Sequence, residues 1–231
     1  MDAREREAFI AYASLPKFQR RVDQALETIR EALAIAKAEV AVSWGKDSVV
    51  TLHLCQTIDP AVASMSFGHS DRLLISNYAE VEASYHAKFG GKTVTIQVEG
   101  YDVPLKVSQL KRWEQSPMVI MGLRKEESSK RSIALTKYGL IHAYSSGDRE
   151  GSWRACPIGY WSWQDVWAYT ALHGLPYLNI YDQLPRDRGR TTDHLSRTTS
   201  KAWQQRRFEE LKFAAPEYAT FLKTNHREMF E

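Results

Sequence analysis

The chain has 231 residues, of which 43% are hydrophobic and 26% charged, and its formal net charge is +3. This length is sufficient for one α/β domain, and the composition is typical of a globular protein with a full hydrophobic core. No apolar run approaches the roughly 20 residues of a membrane-spanning helix, and the charged first residues are not a signal peptide. We therefore expect a cytoplasmic protein without a membrane partner.

Hydrophobic periodicity predicts strands that alternate with helices along the chain. The predicted elements, in chain order, are a helix at 18–37, a strand at 39–42, a helix from 48, a strand at 61–67, a helix at 74–89, a strand at 93–98, a helix at 103–114, a strand from 117, a short strand at 140–144 and an aromatic-rich helix within 156–169. Alternation at 93–98 indicates a strand near a sheet edge. This order predicts an α/β fold with a doubly wound, mostly parallel sheet and helices on both faces. It would occupy residues 1–185, and a basic helical or irregular extension would follow at 186–231.

The segment S-W-G-K-D-S at 43–48 lies between the first predicted strand and the next helix. The first N–H groups of a helix have no intrahelical partner, and the helix dipole adds positive charge there, so this position suits a phosphate. Lys46 adds a full charge, and serine hydroxyls can donate to phosphate oxygens. The residues expected to surround the phosphates are Ser43, Trp44, Gly45 and Ser48. The simpler alternative is an ordinary turn with a solvated lysine.

Two common phosphate loops do not fit this segment. A Walker loop requires glycine where Val40 stands and Ser or Thr where Asp47 stands. The dinucleotide fingerprint requires three spaced glycines, of which only Gly45 is present.

Two further segments are relevant to the same site, and Arg124 in the first of them could neutralise an anionic group. The predicted strand from residue 117 ends at Gly122 and Arg124, and a cysteine–proline pair opens the aromatic-rich stretch at 156–169. Ligands of open parallel sheets bind beyond the carboxyl ends of the strands, so the loops after the first, second and fourth strands should converge. At the second strand, the backbone of Ser66, Phe67 and Gly68 would contact the base or sugar of a nucleotide.

In this order and spacing, the three segments resemble the phosphoadenosine phosphosulfate reductase family of the ATP pyrophosphatase (adenine nucleotide α-hydrolase-like) superfamily, over roughly residues 38–185. The superfamily loop is Ser-Gly-Gly-Lys-Asp-Ser, and Trp44 stands in place of its first glycine. The family also has a Gly-hydrophobic-Arg-x-x-Glu-Ser element after a central strand. Its Pro-Ile-x-x-Trp…Asp-Val-Trp element closes the nucleotide pocket. The resemblance implies that residues 1–185 bind an adenine nucleotide.

The resemblance also implies a chemistry, namely attack at an α-phosphate with loss of pyrophosphate. Lys46 and Arg124 would stabilise the developing negative charge, with Mg²⁺ bridging phosphate oxygens. Asp47 would hold this metal or orient Lys46, unless it is simply a helix cap. Three further residues are candidates for substrate binding, and each has a structural alternative. Glu127 and Arg131 can instead form an ion pair at i and i+4, and Trp161 can instead pack in the core.

The sequence departs from the family at the catalytic cysteine. The family's reductases use a cysteine in a Glu-Cys-Gly-(Leu/Ile)-His motif near the C-terminus, and this chain has no cysteine after Cys156. Reduction by a thiolate is therefore disfavoured, and no iron–sulfur cluster is expected. The better analogy is the nucleotidyl-transferring branch, which includes the ATP sulfurylase small subunit and FAD synthetase-like proteins.

Three hypotheses follow. The first is an ATP pyrophosphatase or nucleotidyltransferase that adenylates an unknown acceptor. The second is a sulfonucleotide reductase-like protein that lacks the C-terminal cysteine. The third is a non-catalytic module that binds a nucleotide or, through the basic segment between Arg186 and Arg207, a nucleic acid. That segment could equally be a solvated face, and a second subunit or an oligomer is a further possible partner.

Overall fold

The computed structural model describes residues 1–68, 77–97, 116–145 and 149–182, together with positions 216, 220, 223 and 224. The helices are α1 (Ala3–Ala13), α2 (Pro16–Ile35), α3 (Lys46–Ile58), α4 (Tyr78–Phe89), α5 (Ser129–Tyr138) and α6 (Trp163–His173), with 3₁₀ turns at Lys125–Glu127 and Asn179–Asp182. The strands are β1 (Ala38–Ala41), β2 (Ala63–Gly68), β3 (Thr93–Gln97), β4 (Met118–Met121), β5 (Ile141–Ala143) and β6 (Trp153–Ala155). The helix predicted at 103–114, the domain boundary after residue 185 and the segment from Arg186 to Arg207 lie outside the described residues.

These strands form one sheet in the order β3-β2-β1-β4-β6-β5. All neighbours run parallel except β5, which pairs antiparallel with β6. The chain winds outward from β1 through β2 to β3, and then returns to the other side of β1 at β4. This arrangement confirms the predicted α/β class, the doubly wound, mostly parallel sheet and the edge position of the third strand. It also places a crevice between the carboxyl ends of β1 and β4, where ligands of such sheets bind.

Helix α3 lies deep inside the fold. Its first ten residues are all buried, because it packs against β1 and β4 and also against α2 and α6. Helix α2 shows the amphipathic stripe that the sequence predicts, with Phe18, Ala25 and Ile29 among its buried residues. Full burial of a large side chain such as that of Phe18 or Ile29 stabilises the fold by roughly 1.5–3 kcal/mol. The site that follows β1 therefore rests on a rigid support.

Three elements were absent from the sequence prediction. Helix α1 begins at the N-cap Asp2, which accepts a hydrogen bond from the backbone of Glu5, and it places Phe9 against Trp167 of α6. Helix α5 follows the segment after β4, and β6 is a strand of only three residues. A strand this short is too brief to show a periodicity in the sequence. The strand predicted at 140–144 is β5, which lies at the sheet edge beside β6.

None of the helices within the described ranges combines the length and apolar composition needed to cross a membrane.

Candidate functional site

The loop after β1 leads into α3 without a side-chain cap. The N-cap of α3 is Gly45, whose backbone is extended, and its carbonyl accepts from the N–H groups of Ser48 and Val49 at 3.0 and 3.1 Å. The hydroxyl of Ser48 donates to the same carbonyl at 2.9 Å and accepts from the N–H of Ser43 at 3.1 Å. The two serine hydroxyls lie 3.3 Å apart. The hydroxyl of Ser48 therefore joins Ser43 and Gly45 of the loop by hydrogen bonds, and the hydroxyl of Ser43 lies beside it.

Trp44 has a left-handed backbone, with φ of +59°, and is the one non-glycine residue with positive φ in the described part of the chain. Its side chain turns away from the loop and packs against α4, with ring centroids 5.9 Å from Tyr85 and 5.4 Å from His86. It is 3% exposed. The left-handed conformation explains why glycine suits this position in related loops. Trp44 thus anchors the loop to a neighbouring helix.

A buried charge cluster joins the ends of β1 and β4. The carboxylate of Asp47 accepts from Lys46 Nζ at 2.8 Å and from Arg124 Nε at 2.5 Å. The side chains of Lys46 and Arg124 have no exposed surface. Burial alone would raise the pKa of Asp47, but the two neighbouring cations outweigh it and hold that pKa below its usual value. Asp47 therefore stays ionised and holds both cationic side chains in place.

Arg124 is held on several sides. Its Nη1 donates to Glu126 at 2.6 Å and lies 3.5 Å from the carbonyl oxygen of Trp161. Its backbone N–H donates to Glu127 at 2.7 Å. Burial lowers the pKa of this guanidinium, but Asp47 and Glu127 more than compensate and raise it. Its remaining nitrogen, Nη2, is buried and has no hydrogen-bond partner among the described residues.

The three residues predicted to bind a substrate contact other residues of the protein. Glu127 forms the i, i+4 ion pair with Arg131, which was the alternative interpretation of both residues. Trp161 is 2% exposed, and the centre of its ring lies 6.0 Å from that of Phe18. Its indole N–H donates to the carbonyl of Arg21 at 3.2 Å. It also lines a cavity of about 380 Å³ beside Glu126. Roles of these three residues in binding a substrate stay predictions.

Gly122 has a packing role that its place in the motif did not reveal. A Cβ atom at this position would lie 2.6 Å from the carbonyl oxygen of Asp47 and 2.9 Å from the N–H nitrogen of Ser48. The backbone after β4 thus touches the first turn of α3. Only glycine permits this close approach, which brings Arg124 to Asp47.

The second strand contributes to the same edge of the sheet. Ser66 is buried and pairs in register with Thr95 of β3, while Phe67 and Gly68 close β2 opposite Ile96 and Gln97. Their predicted contacts with a base or ribose stay predictions.

Tyr181 is an aromatic residue of the site that no sequence motif indicated. Lys46 Nζ lies 5.2 Å from the centre of the Tyr181 ring, and this ring is 4% exposed. Its hydroxyl oxygen would lie 3.4 Å from a Cβ atom at Gly45. Because 135 residues separate Tyr181 from Lys46 in the chain, no local pattern could have revealed their contact.

The described residues offer no preformed metal site. No group of three or more His, Cys, Asp or Glu side chains among them could hold a metal ion. Both carboxylate oxygens of Asp47 are occupied by cationic side chains. The metal role predicted for Asp47 therefore stays a prediction.

The sequence pattern of the phosphoadenosine phosphosulfate reductase domain family matches residues 37–189, more than half of the chain. The chain belongs to this family. An adenosine 5'-phosphosulfate reductase of Bacillus cytotoxicus is 26% identical over 170 residues, which cover 62% of this chain and 66% of the relative. The chain thus spans just under two thirds of that relative's length. These matches confirm the resemblance predicted from the three motifs.

Two solved structures of Candida proteins share the fold. FMN adenylyltransferase of Candida glabrata, in complex with FAD and inorganic pyrophosphate, aligns with a TM-score of 0.58 at 12% identity, over 76% of this chain and 66% of that chain. Phosphoadenylyl-sulfate reductase of Candida auris, in a phosphate complex, aligns with a TM-score of 0.52 at 12% identity, over 79% of this chain and 92% of that chain. Identities this low establish a likeness of fold alone.

Proposed function

We propose that the protein binds ATP across the carboxyl ends of β1 and β4, cleaves it between the α- and β-phosphates, and transfers the adenylyl group to an acceptor. The observation that carries this proposal is the buried cluster of Lys46, Asp47 and Arg124 at the switch point of the sheet. Both cations pair with Asp47, and Arg124 Nη1 also pairs with Glu126, but Arg124 Nη2 is buried and has no partner among the described residues. An oxygen of an anionic ligand would give Nη2 an acceptor.

The arrangement suits the charge that develops in the reaction. Attack at the α-phosphate places negative charge on its oxygens and on the departing pyrophosphate. The cationic groups of Lys46 and Arg124 are already oriented by Asp47, so they need little reorganisation as this charge grows. The similar fold of FMN adenylyltransferase, solved with FAD and pyrophosphate, supports adenylyl transfer as a reaction that such a sheet can host.

Sulfonucleotide reduction is the second candidate, because the family and the Bacillus relative carry that name. The cysteines of this chain do not favour it. Cys55 and Cys156 are both buried, and burial raises the pKa of each thiol, that of Cys156 to about 11. A nucleophilic cysteine needs a lowered pKa. Reduction would therefore need an external thiol. The third candidate, a non-catalytic nucleotide or nucleic-acid module, would use the segment from Arg186 to Arg207.

A pyrophosphate assay tests the proposal. The purified chain is incubated with ATP and Mg²⁺, and pyrophosphate and phosphate are measured separately. We expect the unmodified chain to release pyrophosphate. Lys46→Ala should release it at least about 100-fold more slowly, because a positioned cation that stabilises the transition state is lost. Lys37→Ala is the matched control and should keep full activity, because Lys37 is exposed and lies at the amino end of β1, away from the carboxyl ends of the strands.

Three results would contradict the proposal. Release of phosphate alone would indicate cleavage at another bond. Sulfite released from a sulfonucleotide in the presence of a thiol would favour the reductase. ATP binding that depends on Lys46 but gives no pyrophosphate with any acceptor would favour the non-catalytic module.

A further inference from the structure

Helix α5 has an unbalanced charge. Its sequence, SKRSIALTKY, contains three cationic residues and no carboxylate. Lys130, Ile133 and Lys137 are spaced so that they lie along one stripe of the helix, and all three are exposed. Ile133 is 67% exposed. This stripe therefore offers positive charge and apolar surface together.

Helix α5 begins at the carboxyl ends of the strands, where the candidate site also lies. It begins shortly after Arg124, at the carboxyl end of β4. Beyond its other end, the carbonyl of Leu140 accepts from the N–H of Cys156, which directly follows β6. The hydroxyl of Tyr160 donates to the carbonyl of Leu135 at 3.3 Å. Helix α5 thus extends from the nucleotide crevice toward the edge of the sheet.

A row of three aromatic rings continues from the end of α5 down the edge strand. The rings of Tyr138 and His142 are 5.3 Å apart at 31°, and those of His142 and Tyr144 are 5.3 Å apart at 62°. His142 and Tyr144 share one face because they are two residues apart on extended backbone. Tyr138 is 50% exposed and lies at the solvent end of the row.

Cationic groups accompany these rings. Lys137 Nζ lies 4.9 Å from the centre of the Tyr138 ring, and the guanidinium carbons of Arg149 and Arg154 lie 5.2 and 5.7 Å from that of Tyr144. Arg154 faces His142 across the β5–β6 ladder. Of the nearby carboxylates, Glu127 is engaged by Arg131, while Glu150 is exposed in the turn before β6.

We infer that this surface binds single-stranded nucleic acid. The α5–β5 surface consists of Lys130, Ile133, Lys137, Tyr138, His142 and Tyr144. Phosphates would contact its lysines, and an unstacked base would take the place of Lys137 on the ring of Tyr138, which is 50% exposed. Proteins that bind single strands without sequence preference combine a positive track with aromatic platforms in this way. An acidic protein would use the charges but has no need of the aromatic row. This inference does not depend on ATP cleavage.

Fluorescence anisotropy with the full chain and a labelled 20-nucleotide oligothymidylate tests the inference. Lys130→Glu combined with Lys137→Glu should weaken binding at least about tenfold and make the slope of log K against log salt shallower by about 1.4, since each lost phosphate contact contributes about 0.7. Tyr138→Ala should weaken binding about fivefold or more without changing the slope. Lys37→Glu combined with Lys92→Glu, two exposed lysines that directly precede β1 and β3, changes the charge equally and should bind like the unmodified chain.

Thermal melting establishes that each variant is folded before its binding is compared. Phosphate contacts are strong at a low salt concentration of about 50 mM. Absence of binding under this condition would overturn the inference. Equal weakening by the control pair would also overturn it, because any cation would then suffice. Displacement of the oligonucleotide by poly-glutamate as readily as by unlabelled oligothymidylate would identify an acidic protein surface as the true partner.

Discussion

At the scale of single residues, Trp44 shows how one side chain can replace a glycine in a tight loop. A left-handed backbone costs a non-glycine residue roughly 1–2 kcal/mol. Losing a buried tryptophan costs roughly 3–5 kcal/mol in comparable positions. The ring is packed between Tyr85 and His86. Packing therefore outweighs strain, although the indole N–H, which has no partner within the described chain, reduces the gain.

The two glycines of the site should respond differently to the same substitution. Gly122→Ala should destabilise the protein by about 2 kcal/mol or more, because its Cβ would meet the backbone of α3 at 2.6 Å and that backbone cannot move freely. Gly45→Ala should change stability by less than about 1 kcal/mol, since the nearest atoms lie at 3.4 Å or more and its φ is −75°. Urea unfolding of both variants measures the difference. Equal effects would show that the close approach at Gly122 does not limit the fold.

At the scale of elements, helix α6 has both ends capped. Ser162 and Asp165 form a capping box at its start. At its end, Gly174 has a left-handed backbone, and Lys88 donates to the carbonyls of His173 and Gly174 at 2.9 Å each. Positive charge at a helix C-terminus is favourable. Asp165 is thus a capping residue that also accepts a hydrogen bond from the hydroxyl of Tyr12.

A histidine between α3 and α6 should make stability depend on pH. Burial, then the nearby His173 and Lys88, lowers the pKa of His53 to about 4. In the unfolded chain it would protonate near pH 6.5. Between these values the unfolded state binds more protons, so stability should fall as the pH drops from about 6.5 to 4.

Urea unfolding at several pH values measures this dependence. His53→Gln removes the titrating group but keeps a polar side chain near the hydroxyl of Tyr169, which lies 2.9 Å from His53 Nδ1. The variant should lose less stability than the unmodified chain over the same pH interval. Protonation of carboxylates with lowered pKa values, such as Asp47, also destabilises the protein on acidification. This effect is the same in the unmodified chain and in the variant, so it does not change the difference between them. Parallel curves would contradict the prediction.

At the scale of the whole molecule, the ion pair of Asp47 with Arg124 connects the two halves of the sheet. The residues are 77 positions apart in the chain. They meet because β1 and β4 are neighbours in the sheet and because Gly122 lets the two backbones touch. The same contact forms the centre of the proposed site, so stability and function depend on one arrangement.

A double-mutant cycle measures this connection. Asp47→Asn and Arg124→Met should each destabilise the protein by about 3 kcal/mol, because each breaks a buried ion pair and leaves the other charge with a single ion-pair partner, Glu126 for Arg124 and Lys46 for Asp47. The double variant should be more stable than the sum predicts by more than about 1 kcal/mol. Glu27→Gln with Arg30→Met removes an ion pair whose side chains are 62% and 53% exposed, and it should show a coupling of about 0.5 kcal/mol or less. Equal coupling in both cycles would contradict a special role for the buried pair.

The sequence by itself was sufficient for the features that neighbouring residues determine. The amphipathic stripe of α2 predicted that helix to within two residues at each end. The loop at 43–48 was found because a strand, a turn and a helix start follow one another in the chain. The three motifs led to the correct family, since each is a short, continuous segment. Helix α1 and the short strand β6 were missed because their patterns are brief or highly charged.

Tertiary structure alone decided which of the candidate residues meet. It paired Asp47 with Arg124, assigned Glu126 rather than Glu127 to the guanidinium, and turned Trp44 toward α4. It also brought Tyr181 to Lys46 and gave Gly122 its role in close packing. Apart from that of Arg124 with Glu126, these contacts join residues far apart in the chain. Their geometry depends on strand order and backbone approach in the folded sheet, which no local pattern of side chains contains.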